Sequence, residues 1–299
     1  MKSIIKKLFY RPAWVIACRK IEQDQELIPN KSQTSFSVLL PTEKEWYADS
    51  FCFADREKVY VFMEIMGRNG SKGTLGVTEF KDGSFSKVVE ILREPFHLSY
   101  PNVFKYNNHY YMIPETNESN QIRLYESKKF PFEWELKKIL FDDVKLVDSS
   151  FMSISDDEYI VFSHDINDDA FKLRVFILNL KDLTLREINK FKQASDERPG
   201  GNIIIVNGEK FRVLQDCSEY YGRRLKLYKI TECNIESMTY SEEYYDDITI
   251  DKIPVDIKKP FDRIHTITRS GDYEAIDSLY SRFYITKPFR RIKEKLLIF

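Results

Sequence analysis

Four carboxylates, Asp49, Glu64, Glu115 and Asp148, stand at equivalent points of a unit that recurs along this chain. Acids gathered in one concave site push their pKa values apart, so that one keeps a proton its neighbour gives up. Such a pair suits chemistry on a glycosidic bond, which needs one acid and one base or nucleophile. Asp49 is the candidate base or nucleophile, Glu115 or Asp148 the candidate acid, and Glu64 a further binding carboxylate. The competing reading is that Asp49 and Asp148 only cap turns, a common use of Asp. Further along, Arg198, Gln215 and Asp216, then Arg263, His265 and Thr266, offer polar groups able to hold sugar hydroxyls, a carboxylate or a phosphate. Arg198 is the candidate anion anchor, with a structural ion pair to Asp216 as the alternative. His265 could shuttle a proton or serve as a hydrogen-bonded structural residue. Tyr100 and Tyr221, with Trp46, Tyr47 and Tyr220, could stack on sugar faces or fill interfaces.

The elements that must position these residues are short strands. KVYVFMEIM, HYYMIPET, EYIVFSHDI, NIIIVNG and KFRVLQDC are β-branched or aromatic runs bounded by turn residues, and no long helical pattern occurs. Asn107-Asn108, Asp156-Asp157 and Asn207-Gly208 each separate two such runs, as hairpin turns do. Aligned on those hairpins, ADSFCFADREKVYVFMEI, SYPNVFKYNNHYYMIPET, VDSSFMSISDDEYIVFSHD and RPGGNIIIVNGEKFRVLQDC are copies of one unit. They open at Asp49, Tyr100, Asp148 and Pro199, spaced by 51, 48 and 51 residues, and a weaker fifth copy opens at His265. A period of about 40–50 residues built from hairpins is the mark of propeller blades. The expected fold is therefore all-β, a five-bladed β-propeller forming one domain over residues 1–299, closed by the strand around Trp14-Val15-Ile16-Ala17 joining the last blade. In a propeller the innermost strands line a central channel, so residues about fifty positions apart converge on one funnel.

Composition narrows the remaining choices. Forty-six Lys and Arg against forty-seven Asp and Glu leave a net charge of -1, too little basic field for general nucleic-acid binding. Cys18, Cys52, Cys217 and Cys233 are scattered, without a C-x-x-C pair or metal-spaced His, and are expected as reduced thiols with no metal site. The first twenty residues offer no signal peptidase site, and no run reaches the roughly 18 apolar residues needed to span a bilayer. The expected location is the cytoplasm, with peripheral contact to the inner membrane face through basic ends: Lys2, Lys6, Lys7, Arg11, Arg19 and Lys20 near the start, and KPFRRIKEKLLIF at the end. A solvated charged end is the alternative. The glycines of GRNGSKGTLG lack the spacing of a phosphate-binding loop, and there is no Asp-x-Asp pair, nucleophile elbow or zinc motif. No cofactor is expected.

The strings EPFHLSYPNVF, YYMIPET, IRLYES, FPFEWE, RPGGN, QDCSEYYGRRL and IHT, in that order, resemble the propeller domain at the N-terminus of glucosamine inositolphosphorylceramide transferases. The resemblance covers about residues 10–280, and Glu94–Thr116 is its most specific part. More distantly the chain is similar to the five-bladed arabinanases, xylosidases and invertases, whose first-blade acid near a Trp is matched by Trp46 and Asp49. It departs from them where Tyr100 stands for a second Asp and where Ser163 and His164 stand for the general acid, so their catalytic triad does not transfer. The resemblance implies a carbohydrate-active enzyme of cell-surface polysaccharide or glycolipid biosynthesis. Glycosyl transfer is expected first and glycoside hydrolysis second, on a sugar or nucleotide sugar with a glycan or lipid-linked acceptor. The alternative is a non-catalytic, glycan-binding propeller that assists a partner glycosyltransferase.

Overall fold

The strand Lys58–Gly67 (KVYVFMEIMG) is buried along most of its length, not at every second residue. That pattern belongs to a strand covered on both faces, as when one sheet packs between two others. A computed structural model describes residues 10–22, 27–166, 172–188, 197–237, 239–255 and 261–283. The basic runs at 1–9 and 284–299 lie outside the described residues.

Five antiparallel sheets follow one another around an axis. Blade one holds Glu45–Asp55, Lys58–Gly67, Thr74–Lys81 and Ser84–Phe85, with Val89–Leu92 also paired to its third strand. Blade two holds Ser99–Tyr106, His109–Glu115, Gln121–Lys129 and Glu133–Asp142. Blade three runs from Leu146–Ser153 through Glu158–Asp165 and Lys172–Asn179 to Thr184–Glu187, and blade four from Ile204–Val206 through Glu209–Asp216 and Arg224–Asn234 to Thr239–Ile248. Blade five is composite. Arg263–Ser270 and Tyr273–Phe283 come from the end of the chain, while Tyr10–Lys20 and Ser37–Leu39 complete the sheet from its beginning. The predicted closure by Trp14–Ala17 is thus realised over eleven register pairs, from Tyr10↔Phe283 to Lys20↔Tyr273. Among the described residues the only helical pieces are two 3-10 turns.

The core is divided in five, one apolar cluster at each blade interface. Phe51 and Phe62 meet Met112 and Tyr125 between blades one and two, and Phe104 and Leu124 meet Val161 and Phe176 between two and three. Met152 and Phe162 meet Ile203 and Tyr240 next, then Val213 and Leu227 meet Ile264 and Val15. Ile16 and Cys18 meet Val61 and Met63 to close the ring. Each such side chain contributes about 1.5–3 kcal/mol on burial, so leaving one interface open would forfeit many of them at once. Hairpin chemistry sets the register: Asn107, Asn108, Asn207 and Gly208 all take positive φ, as the predicted tight turns require.

Candidate functional site

The residues that open three of the blades share one backbone device. In the first strands the register slips between Ala48 and Phe51, between Ser99 and Asn102, and between Val147 and Ser150. At each bulge the opening residue is left-handed, with φ of 51° at Asp49, 50° at Tyr100 and 50° at Asp148. Such a conformation costs a residue with a side chain about 1–3 kcal/mol, and a bulge re-aims the side chain that carries it. Blade five slips between Ile264 and Ile267, at His265.

Asp277 ties the ring together at this level. Its carboxylate accepts the N–H of Asp49 at 2.8 Å and that of Thr266 at 2.9 Å, and its Oδ2 lies 2.8 Å from His265 Nδ1. The other imidazole nitrogen, Nε2, lies 3.0 Å from Asp49 Oδ1. Asp49 Oδ2 in turn accepts the N–H of Tyr100 at 3.1 Å. Burial alone would push the His265 imidazole down, but the carboxylates of Asp277 and Asp49 outweigh it and hold the ring protonated up to about 10. Asp49, His265 and Asp277 bring donor atoms within 4.8 Å of one another, close enough for a cation. A cation bound there would displace the imidazole proton; otherwise the trio is a carboxylate–imidazolium–carboxylate triplet.

Across the funnel, Arg198 Nε bonds Asp148 Oδ2 and its Nη2 lies 3.4 Å from Glu115 Oε2. Burial, and then the Asp148 charge, hold Glu115 well above the ordinary carboxylate range in spite of Arg198. A protonated Glu115 also resolves an otherwise costly feature, because Asp148 Oδ1 is buried with no donor facing it. One proton held between the two carboxyls satisfies both. Glu64 is likewise raised by burial, although His97 Nε2, 3.2 Å away, pulls it back. His97 is oriented by the Gly73 N–H, which donates to its Nδ1 at 3.0 Å. Only glycine fits there, since a Cβ would stand 2.6 Å from the backbone carbonyl oxygen of Leu98.

Aromatic rings form part of the rim. Trp14, from the closing strand, packs on His265 with centroids 4.2 Å apart, and Tyr221 lies 5.2 Å from the same ring. Burial pushes the Tyr221 phenol well up, Arg198 opposes this, and the Asp49 and Asp148 charges add to it. The loop that carries it is fastened to blade five: Arg263 Nη1 donates to Tyr221 O at 3.0 Å and the Ile264 N–H to Gly222 O at 3.0 Å.

The structure brings Asp49, Glu64, Glu115, Asp148, Arg198, Tyr221 and His265 to this funnel. Three expectations are corrected. Tyr100, expected to touch substrate, is fully buried; its hydroxyl donates to Gly201 O at 2.8 Å and accepts the Gly201 N–H at 2.7 Å, joining blade two to blade four. Glycine is required at 201 by a separate approach to blade five, where at φ 151° a Cβ would lie 1.8 Å from Ile267 O. The Arg198–Asp216 ion pair does not form; Asp216 instead takes Arg224 Nε at 2.6 Å and Arg223 Nη1 at 3.1 Å. Arg198 is also not a free anion anchor, because two carboxylates already face it. Gln215 is buried and donates to Pro199 O at 2.8 Å, and Arg263 sits on the rim over the Tyr220 ring. Asp277, His97 and Trp14 went unread in the sequence as site residues. The signal for Asp277 was its place opposite the His265 bulge in the weak fifth copy.

Tyr100→Phe should leave the Gly201 amide without its partner, while the carbonyl keeps the Ser150 hydroxyl, and lower stability by about 1–3 kcal/mol. Urea denaturation of both proteins measures the difference, and a loss below about 0.5 kcal/mol would deny Tyr100 this tie.

Residues 34–253 match the family model described as glucosamine inositolphosphorylceramide transferase 1, N-terminal. The glucosamine inositolphosphorylceramide transferase 1 of Oryza sativa subsp. japonica is 35% identical over 211 residues, covering 66% of this chain and 28% of that protein. That of Arabidopsis thaliana is 31% identical over 193 residues, covering 61% of this chain and 25% of that protein. The chain thus spans little more than a quarter of these relatives, at 28% and 25% of their lengths. Among solved structures, the catalytic domain of the Coprinopsis cinerea GH62 alpha-L-arabinofuranosidase superposes with a TM-score of 0.58 at 12% identity, over 87% of this chain and 96% of that one. A GH62 hydrolase in complex with xylotriose gives 0.61 at 11%, over 89% and 97%. At these identities the likeness is one of fold.

Proposed function

Because this chain belongs to the family of the N-terminal domain of glucosamine inositolphosphorylceramide transferase 1, we propose that its funnel binds a sugar and transfers it in the assembly of a surface polysaccharide or glycolipid. The observation that carries the proposal is the division of labour among the funnel acids. The pKa of Glu115 is held well above the ordinary carboxylate range beside Asp148, while Asp49 faces the His265 imidazole and a backbone N–H. Glu115 donates its proton to the oxygen leaving the anomeric carbon, and Asp49 takes the proton of the attacking hydroxyl. One carbon–oxygen bond breaks, one forms, and the two protons exchange owners. Arg198 sets the charge beside Asp148, and Tyr221 with Trp14 offers faces for the sugar ring.

Sugar transfer from nucleotide sugars should fall at least about a hundredfold in Asp49→Asn and in Asp148→Asn. Unchanged turnover in both would dismiss the assignment. A second reading is favoured by one observation: Asp49, Asp148 and Glu115 already have charged partners, as in a rigid binding site. A glycan-binding propeller that serves a partner transferase would show the same substitutions changing affinity with no turnover to lose.

A further inference from the structure

Glu64 and Glu115 hold equivalent places in blades one and two. Each is the register partner of the residue just before a left-handed position, Ala48 before Asp49 and Ser99 before Tyr100. Their neighbours differ. Glu115 Oε2 faces Arg198 and its Oε1 accepts the Asn117 side-chain amide at 2.9 Å, whereas Glu64 Oε1 lies 3.2 Å from His97 Nε2. Among the described residues no donor meets Glu64 Oε2, and that atom is not sealed in as Asp148 Oδ1 is. The place of the proton on the His97 ring therefore decides what Glu64 can do.

The backbone fixes that proton. The Gly73 N–H donates to His97 Nδ1 at 3.0 Å, so Nδ1 presents its lone pair and the single proton of a neutral ring sits on Nε2, aimed at Glu64. Both partners are held in place. Gly73 O accepts the Leu98 N–H at 3.1 Å, and the His97 N–H is donated to Glu118, whose other oxygen takes Lys72 Nζ at 2.6 Å. The bond to Glu64 favours a second proton on the ring, as do the charges of Glu64, Asp49 and Glu118, while burial opposes it. That proton would have to enter at Nδ1, against the Gly73 N–H. We propose that His97 is a positioning residue: a neutral ring that donates from Nε2, keeps Glu64 an ionised acceptor, and leaves Glu64 Oε2 to take a hydroxyl of the bound sugar. Burial and the Asp49 charge work against ionisation of Glu64, and the His97 bond and the His265 charge work for it. Two equivalent glutamates thus receive opposite duties, Glu115 as proton donor and Glu64 as hydroxyl acceptor. The sugar contact rests on the funnel binding a sugar, as proposed above; the state of the ring does not.

Two substitutions separate the two bonds of the ring. Asparagine sets a carbonyl oxygen near the Nδ1 place and keeps the Gly73 bond but offers nothing to Glu64, while glutamine sets an NH₂ near the Nε2 place and keeps the donor to Glu64. With UDP-glucose, UDP-galactose and UDP-N-acetylglucosamine as probe donors, His97→Asn should raise KM about tenfold or more and leave kcat within about threefold, and His97→Gln should recover most of the loss. A ring that only ties the loop predicts the reverse order. The ring itself is read without sugar, from ¹⁵N spectra of the four histidines. The signal lost in His97→Gln should show a protonated Nε2 and a bare Nδ1 at neutral pH. A His97 ring protonated on both nitrogens, or on Nδ1 alone, would overturn the proposal, as would a parent-like KM in the Asn variant beside a raised one in the Gln variant. Should the parent transfer none of the three sugars while its spectrum shows the Nε2–H ring, the transferase reading fails and the hold of His97 on Glu64 stands.

Discussion

In the Glu115→Gln protein, sugar transfer is expected to fall by about 10²–10⁴-fold while the fold survives intact. Glutamine has nearly the shape of a protonated glutamate, and its NH₂ can donate to Asp148 where the acid proton did. The packing and the hydrogen bond are kept, and only the transferable proton is removed. Stability gives an independent readout. A carboxyl held well above its ordinary 4.5 costs stability progressively as pH rises from about 4.5 toward its folded value, because the native state holds the proton more tightly than the unfolded chain. Glutamine lacks that cost, so the variant should melt at or above the parent temperature near neutral pH and below or level with it in acid. Turnover within about threefold of the parent would remove Glu115 from proton transfer. A variant that melts well below the parent at neutral pH would mean that Glu115 is ionised in the folded protein.

His265→Gln is expected to be the most destabilising change in the funnel. Removing the imidazolium leaves Asp49 and Asp277 facing each other with no cation between them, and breaking a buried pair in this way costs about 3–5 kcal/mol. For a chain of this size that is a fall of roughly 6–15 °C in melting temperature. Asp277→Asn in the same protein should restore part of it, since one of the uncompensated charges is then gone. The parent also carries a signature in pH. The imidazole titrates at about 10 folded and at 6.5 ordinarily, so its contribution is fully present below about 6.5 and fades as pH rises through about 10. Melting curves across that window should bring the parent down toward the variant. A gap that stays constant would mean a neutral ring, and the triplet would have to be redrawn with two acids sharing a proton.

The strands, the hairpins and the fifty-residue rhythm were legible in the chain because each rests on neighbours close in sequence. An Asn-Gly or Asn-Asn turn and the aromatic runs beside it specify a hairpin wherever they occur. The acids at Asp49, Glu64, Glu115 and Asp148 could be assigned to one funnel on the same ground, since the repeat dictates equivalent places in successive blades. Which groups those acids would meet was not legible. Asp277 reaches Asp49 across 228 residues, and Arg198 chose Asp148 and Glu115 over the nearer Asp216. Tyr100 stands where Asp49 and Asp148 stand in their blades, yet its longer side chain reaches across to Gly201 of blade four and is fully buried there, while the shorter carboxylates meet charged partners. Period and turn type are local properties of the backbone. The partner of a charge and the direction of a bulged side chain depend on the angles between blades, and those exist only once the first strand has closed the ring against the last.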